Sequence, residues 1–164
     1  MSIPTRLLLG TVATLTITGA VVATQASAHS PSRLSFTSHL TALQFFTGTG
    51  PVTGPLTAPL VPGDRIIGRD TVVQGGQPVG HDNEICTVSF DRDVLCQDIV
   101  ILDGRGDLQA SWTVQWPAGP GSPSSFDGII SGGTAEFQSS HGSFHATALP
   151  DGGIDITADL HDGS

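Results

Sequence analysis

The sequence predicts an all-β protein, a barrel or sandwich of short strands, and its eight candidate strands are the number that closes into a small antiparallel barrel. Three observations carry this. In residues 107–116, Leu108, Ala110, Trp112, Val114 and Trp116 are apolar, and Gln109, Ser111, Thr113 and Gln115 between them are polar. Only a half-buried strand satisfies that period of two along its whole length. The same alternation recurs between Gly- and Pro-rich breaks, and no segment sustains a helical period.

The elements follow in order. Arg6, an apolar run over residues 7–22 and the exit Ala26-Ser27-Ala28 have the form of a secretory signal peptide, residues 1–28, with His29 as the first mature residue. A membrane anchor is the competing reading. Gly10, Thr11, Thr14, Thr16 and Gly19 interrupt the run, which falls short of the ~20 apolar residues a span needs. Residues 29–164 then form a single domain, secreted and free of a membrane anchor.

Strands are expected at residues 32–46, 65–73, 79–90, 94–102, 107–116, 126–131, 142–149 and 154–160. The loop 48–62 holds Pro51, Pro55, Pro59 and Pro62 and is excluded as an inner strand. Asp103-Gly104-Arg105-Gly106 and Pro150-Asp151-Gly152-Gly153 are tight turns, and residues 117–125 form an exposed loop.

The net charge of the 164 residues is −9, there is no lysine, and loss of Arg6 with the leader makes the mature chain one unit more negative. Such a surface repels nucleic acid and anionic headgroups. Only Cys86 and Cys96 are present. In a hairpin centred on Asp91 they face each other, so in an oxidising compartment they form a disulfide that contributes about 3 kcal/mol. Two free thiols are the alternative.

Two stretches carry a family resemblance. The first runs from Pro62-Gly63-Asp64 to Gly80 and on through Ile85-Cys86-Thr87-Val88 and Leu95-Cys96-Gln97. The second is Ile130-Ser131-Gly132-Gly133-Thr134-Ala135-Glu136-Phe137, followed by His141-Gly142 and Leu149-Pro150-Asp151-Gly152-Gly153. Together they resemble the allene oxide cyclase-like and dirigent-like (calycin-like) barrels, in particular secreted bacterial members. Ala135 stands where the family's glycine box has its third glycine.

The resemblance implies an eight-stranded antiparallel barrel with an apolar lumen that binds a small hydrophobic molecule and guides its cyclisation or coupling. It implies an isomerase or cyclase without a cofactor, and association as a homotrimer. The physical logic is conformational, since a greasy cavity folds a flexible substrate into one reactive shape. The family's carboxylate on the first strand has no counterpart in residues 34–40, and the chain has no tyrosine.

Among the chemical candidates, Glu84 shares a strand face with Cys86, and Asp82 lies beside it in sequence. Facing inward, Glu84 is a buried carboxyl with a raised pKa, suited to catalytic proton transfer; facing outward, it is a solvated acid. Trp112, Trp116 and Phe144 are expected inside, either lining a ligand cavity or filling it, with Trp116 near a barrel mouth.

His39 is out of phase with Phe36 and is expected outward. His141 and His145 would lie about 13 Å apart on a strand, too far for one metal ion. Arg105-Gly106-Asp107 is read as ordinary turn chemistry rather than an adhesion tripeptide. Three functions stay open at this level: a cyclase-type barrel, a non-catalytic lipocalin-type carrier, and a structural secreted barrel with a filled interior.

Overall fold

The structure, a computed structural model, describes residues 32–115 and 124–163. The residues read as a signal peptide, and Trp116, lie outside them. The strands are β1 (Ser32–Thr47), β2 (Gly50–Pro51), β3 (Arg65–Gln74), β4 (Gln77–Val88), β5 (Asp93–Leu102), β6 (Gly106–Gln115), β7 (Ser125–Gly133), β8 (Ser140–Ala148) and β9 (Ile154–Asp162). Each of β3 to β9 pairs antiparallel with its neighbour in sequence, β1 pairs with β3, and β9 returns to β1. That last ladder runs from Ser32↔Leu160 to Ser38↔Ile154 and closes an eight-stranded antiparallel barrel. Each of the eight strands is thereby paired on both sides over part of its length. The two-residue β2 merely folds the 48–62 loop back onto Phe46 and Thr47.

Local chemistry explains the hairpins. Gly75 and Gly76 both take positive φ, 59° and 79°, as the two-residue turn between β3 and β4 requires. The β4–β5 hairpin differs from expectation at its tip. Phe90 leaves the ladder, is 76% exposed and forms a single 3-10 turn with Asp91 and Arg92. Asp91 and Arg92 hold φ of 57° and 66°, which no strand can continue. The pairing still centres where the sequence puts it: Cys86 faces Cys96, their Cα atoms are 4.0 Å apart, and they are disulfide-bonded.

Alternation sorts the side chains. On β5, Val94, Cys96, Asp98, Val100 and Leu102 point in, while Leu95 and Ile99 point out. On β1, Leu34, Phe36 and Ser38 point in, Leu40 in the same phase is 52% exposed at the open end, and a bulge between Leu40 and Ala42 then interrupts the register. One end of the barrel is packed solid by Leu34, Val72, Leu102, Leu108, Phe137 and Leu160. Burying each such side chain contributes about 1.5–3 kcal/mol. At the other end Ile66, Val88 and Val94 pack around the disulfide, and there the interior opens.

Candidate functional site

The lumen has two unlike walls. Three adjacent strands supply acids: Asp70 from β3, Asp82 and Glu84 from β4, and Asp98 from β5. The strands that complete the circle supply Trp112 from β6, Phe126 from β7, Phe144 from β8, Ile154 and Ile156 from β9, and Phe36 from β1. Between the walls lies a cavity of about 40 Å³. Asp70, Glu84, Trp112, Phe126 and Ile154 also line a wider pocket of about 400 Å³ toward the open end, bounded by Leu40, Leu43 and the Gly152-Gly153 turn. The interior is therefore not filled.

Register brings the acids together. Asp70 is the direct cross-strand partner of Asp82, and Glu84 that of Asp98. Like charges set opposite each other repel, so this block works against the sheet that holds it. Room for Glu84 comes from Gly68, its partner on β3, where a Cβ would lie 2.6 Å from the Glu84 carboxyl oxygen. The Ser38 hydroxyl is 2.8 Å from Asp70 Oδ2 and 2.7 Å from Asp82 Oδ2. A hydroxyl has one proton, so Ser38 donates to one carboxylate and accepts from the other, and that second carboxyl must itself be protonated.

Burial raises all four acids. Asp82 is pushed up to about 6, by burial first and then by the charge of Asp70. Glu84 is pushed up to about 7 by burial, with Asp70 and Asp82 adding to it. Asp98 is pushed up to about 8 by burial, then by Asp82 and Glu84. Asp70 is raised by burial against the hydrogen bond from Ser38 and the neighbouring His39. Carboxyls that titrate near neutrality can give or take a proton at working pH. Among the described residues, no lysine, arginine or histidine lines either part of the cavity.

The aromatic wall is ordered. Trp112 stacks on Phe126 with centroids 5.4 Å apart, and Phe144 meets both rings edge-on at 5.8 and 6.1 Å. Phe144 lies over Gly128, its cross-strand partner, which presents no side chain to the ring.

Of the residues the sequence singled out, Glu84, Trp112 and Phe144 line the cavity, and Cys86 and Cys96 line its wider end. His39 is half-buried against Gly153 and is not part of the lining. His141 and His145 are exposed and go separate ways, His141 beside His161 and His145 against Asp127 at 2.7 Å. The turn tripeptide is engaged internally: Arg105 pairs with both Glu136 oxygens and lies over Phe137, and Asp107 accepts from Thr134.

Sequence reasoning missed Ser38, Asp70 and Asp98. A signal for Asp98 existed, because it occupies the apolar phase of β5 between Cys96 and Val100. No family profile and no curated protein matches the chain. Solved structures do. A pyocyanin demethylase superposes with a TM-score of 0.59 at 21% identity, over 79% of this chain and all of that one. A pterocarpan synthase dirigent protein gives 0.56 at 13% identity, over 84% and 98%. The Diels–Alderase AbmU from Streptomyces koyangensis gives 0.54 at 18% identity, over 79% of this chain and 64% of its own. A closed ring of eight antiparallel strands, shared at this level of superposition, identifies the fold as the dirigent-like barrel.

Proposed function

We propose that this protein holds a small, largely apolar molecule in its lumen and guides its cyclisation or coupling by proton transfer. The observation that carries the reading is the juxtaposition of four acids with an aromatic wall across one cavity. Dirigent proteins and a Diels–Alderase share the barrel, which supports a lumen that shapes a reacting molecule.

In this reading Trp112, Phe126 and Phe144 hold the substrate folded, which removes much of the entropic part of the barrier. Glu84 is the catalytic acid. Its neutral carboxyl gives a proton to one atom of the substrate, and the carboxylate left behind recovers a proton from another, so nothing is consumed. Ser38 passes protons between Asp70 and Asp82. No cofactor enters the step.

The same reading makes the protein secreted, with residues 1–28 removed as a signal peptide and residues 29–164 forming the mature domain. It also makes it a homotrimer, associated through the outward apolar side chains Ile85, Leu95, Ile99 and Ile129.

Two measurements test it. Titration with Nile red, a neutral apolar dye, should show saturable uptake of about one dye per barrel. Ala110→Phe, which fills the lumen, should weaken that uptake about tenfold while the far-ultraviolet spectrum stays that of a folded barrel. Native mass spectrometry of protein from culture medium should show a chain beginning at His29, three copies per particle and any retained ligand. Dye uptake indifferent to Ala110→Phe would overturn the lumenal reading.

A further inference from the structure

The four lumenal acids lack something that buried acids almost always have. Isolated carboxylates leave water at high cost, and proteins match them with arginine or lysine. Among the described residues the arginines lie elsewhere. Arg33 lies against Asp159, Arg65 over the Phe46 ring and Arg105 on Glu136, while Arg69 and Arg92 are exposed. Independently of the cluster, Asp98 is only 8% exposed, and its Oδ1 has no hydrogen-bond partner among the described residues. That oxygen belongs to a side chain lining the cavity. Oδ1 of Asp70 on the same wall is also without a partner.

The missing partner has a definable chemistry. A divalent ion wants several oxygens converging on one point. The acids are instead spread over three strands, and no group of three possible ligands among the described residues could hold a metal ion. Across the cavity stands an aromatic corner of one indole and two phenyl rings, which favours a flat ring and attracts a cation as well.

Resting on the lumenal site proposed above, we infer that its occupant is an aromatic amine: a flat ring held against Trp112, Phe126 and Phe144, with a basic nitrogen turned toward Asp70, Asp82, Glu84 and Asp98. The ammonium supplies the charge and the donors that the acidic wall lacks.

The test compares three probes of one shape: naphthylmethylamine, naphthylmethanol and naphthoate, titrated calorimetrically into the intact protein at neutral pH. The amine should bind about tenfold tighter than the alcohol, or more, the worth of one charge-assisted hydrogen bond, and naphthoate should bind weakest.

Amine binding should also release protons to the buffer, because the cation favours ionised carboxyls. The groups facing it are Asp70 from β3, Asp82 and Glu84 from β4 and Asp98 from β5, with His39 of β1 beside Asp70 and no titratable lining side chain on β6 to β9. Asp98→Asn should pull the ratio of amine to alcohol affinity toward one and reduce the proton release. The wild-type comparison decides the matter even if that variant fails to fold.

Equal affinity for amine and alcohol would overturn this inference and leave the lumenal reading standing. So would failure of all three probes in protein that still takes up Nile red. Loss of Nile red uptake as well would remove both. Displacement of the amine by calcium or zinc at millimolar concentration would reassign the acids to a metal and overturn it too.

Discussion

Glu84 and Asp98 face each other directly across the β4–β5 ladder, two carboxyls in a sheet position where repulsion is strongest. Both are raised, to about 7 and about 8. For these two, and for Asp70 and Asp82, the folded-state pKa lies above the unfolded one. Between about pH 4 and those folded values the native barrel therefore holds more protons than the unfolded chain. Stability is greatest on the acidic side of this window and declines as pH rises through about 6 to about 8.

Melting temperature followed by circular dichroism from about pH 5 to about pH 9 should fall and then level off. Asp98→Asn should flatten the decline and stabilise the barrel at the alkaline end by about 1–3 kcal/mol. The Arg105–Glu136 pair works in the opposite direction, because Arg105 lowers Glu136, and its loss belongs to more acidic solution. A melting temperature that stays level across the window would mean that the four acids are hydrated.

Gly128 and Phe144 form one packing unit. A Cβ at Gly128 would lie 2.2 Å from the Phe144 ring and 2.8 Å from the Ser111 carbonyl oxygen. Gly128→Ala should destabilise the barrel by about 1–3 kcal/mol in urea unfolding. Part of that cost should disappear in a Phe144→Leu background, because the ring is one of the two obstacles. Additive costs would show that the backbone contact alone matters.

Ala135 holds φ of 49°, a left-handed conformation that costs a side-chain-bearing residue about 1 kcal/mol. It is also the position where the resembled glycine box has glycine. Ala135→Gly should therefore stabilise the protein by up to about 1 kcal/mol, less the entropy glycine adds to the unfolded chain. A stability loss above that level would show that the Ala135 methyl contributes packing.

The Cys86–Cys96 bond closes a loop with a sequence separation of 10 across neighbouring strands. Reduction, or replacement of both cysteines by alanine, should lower unfolding stability by about 3 kcal/mol and leave the strand spectrum intact. The intact mass of the oxidised chain should be two hydrogens below that of the reduced one.

Much of the fold was legible because a strand's side chains alternate strictly, and glycines and prolines mark where ladders must end. β6 announces itself by Leu108, Ala110 and Trp112, and the cysteine pairing follows from counting back from Asp91. The failures are local. The positive φ at Asp91 and Arg92 ends β4 before Phe90, where the sequence expects the strand to continue. Glu84 could be named as a candidate, but its direction could not be chosen, because a half-polar strand face reads equally well either way.

The sequence by itself determined the class of protein, the strands, the disulfide partners and the acidic, lysine-free balance, all of which rest on period, spacing and count. Tertiary structure alone decided that Asp70, Asp82, Glu84 and Asp98 share one wall and that Ser38 bridges two of them. Such neighbours come from different strands, and their meeting depends on register. A strand shifted by one residue would have turned its own acids out of the lumen and broken up the wall.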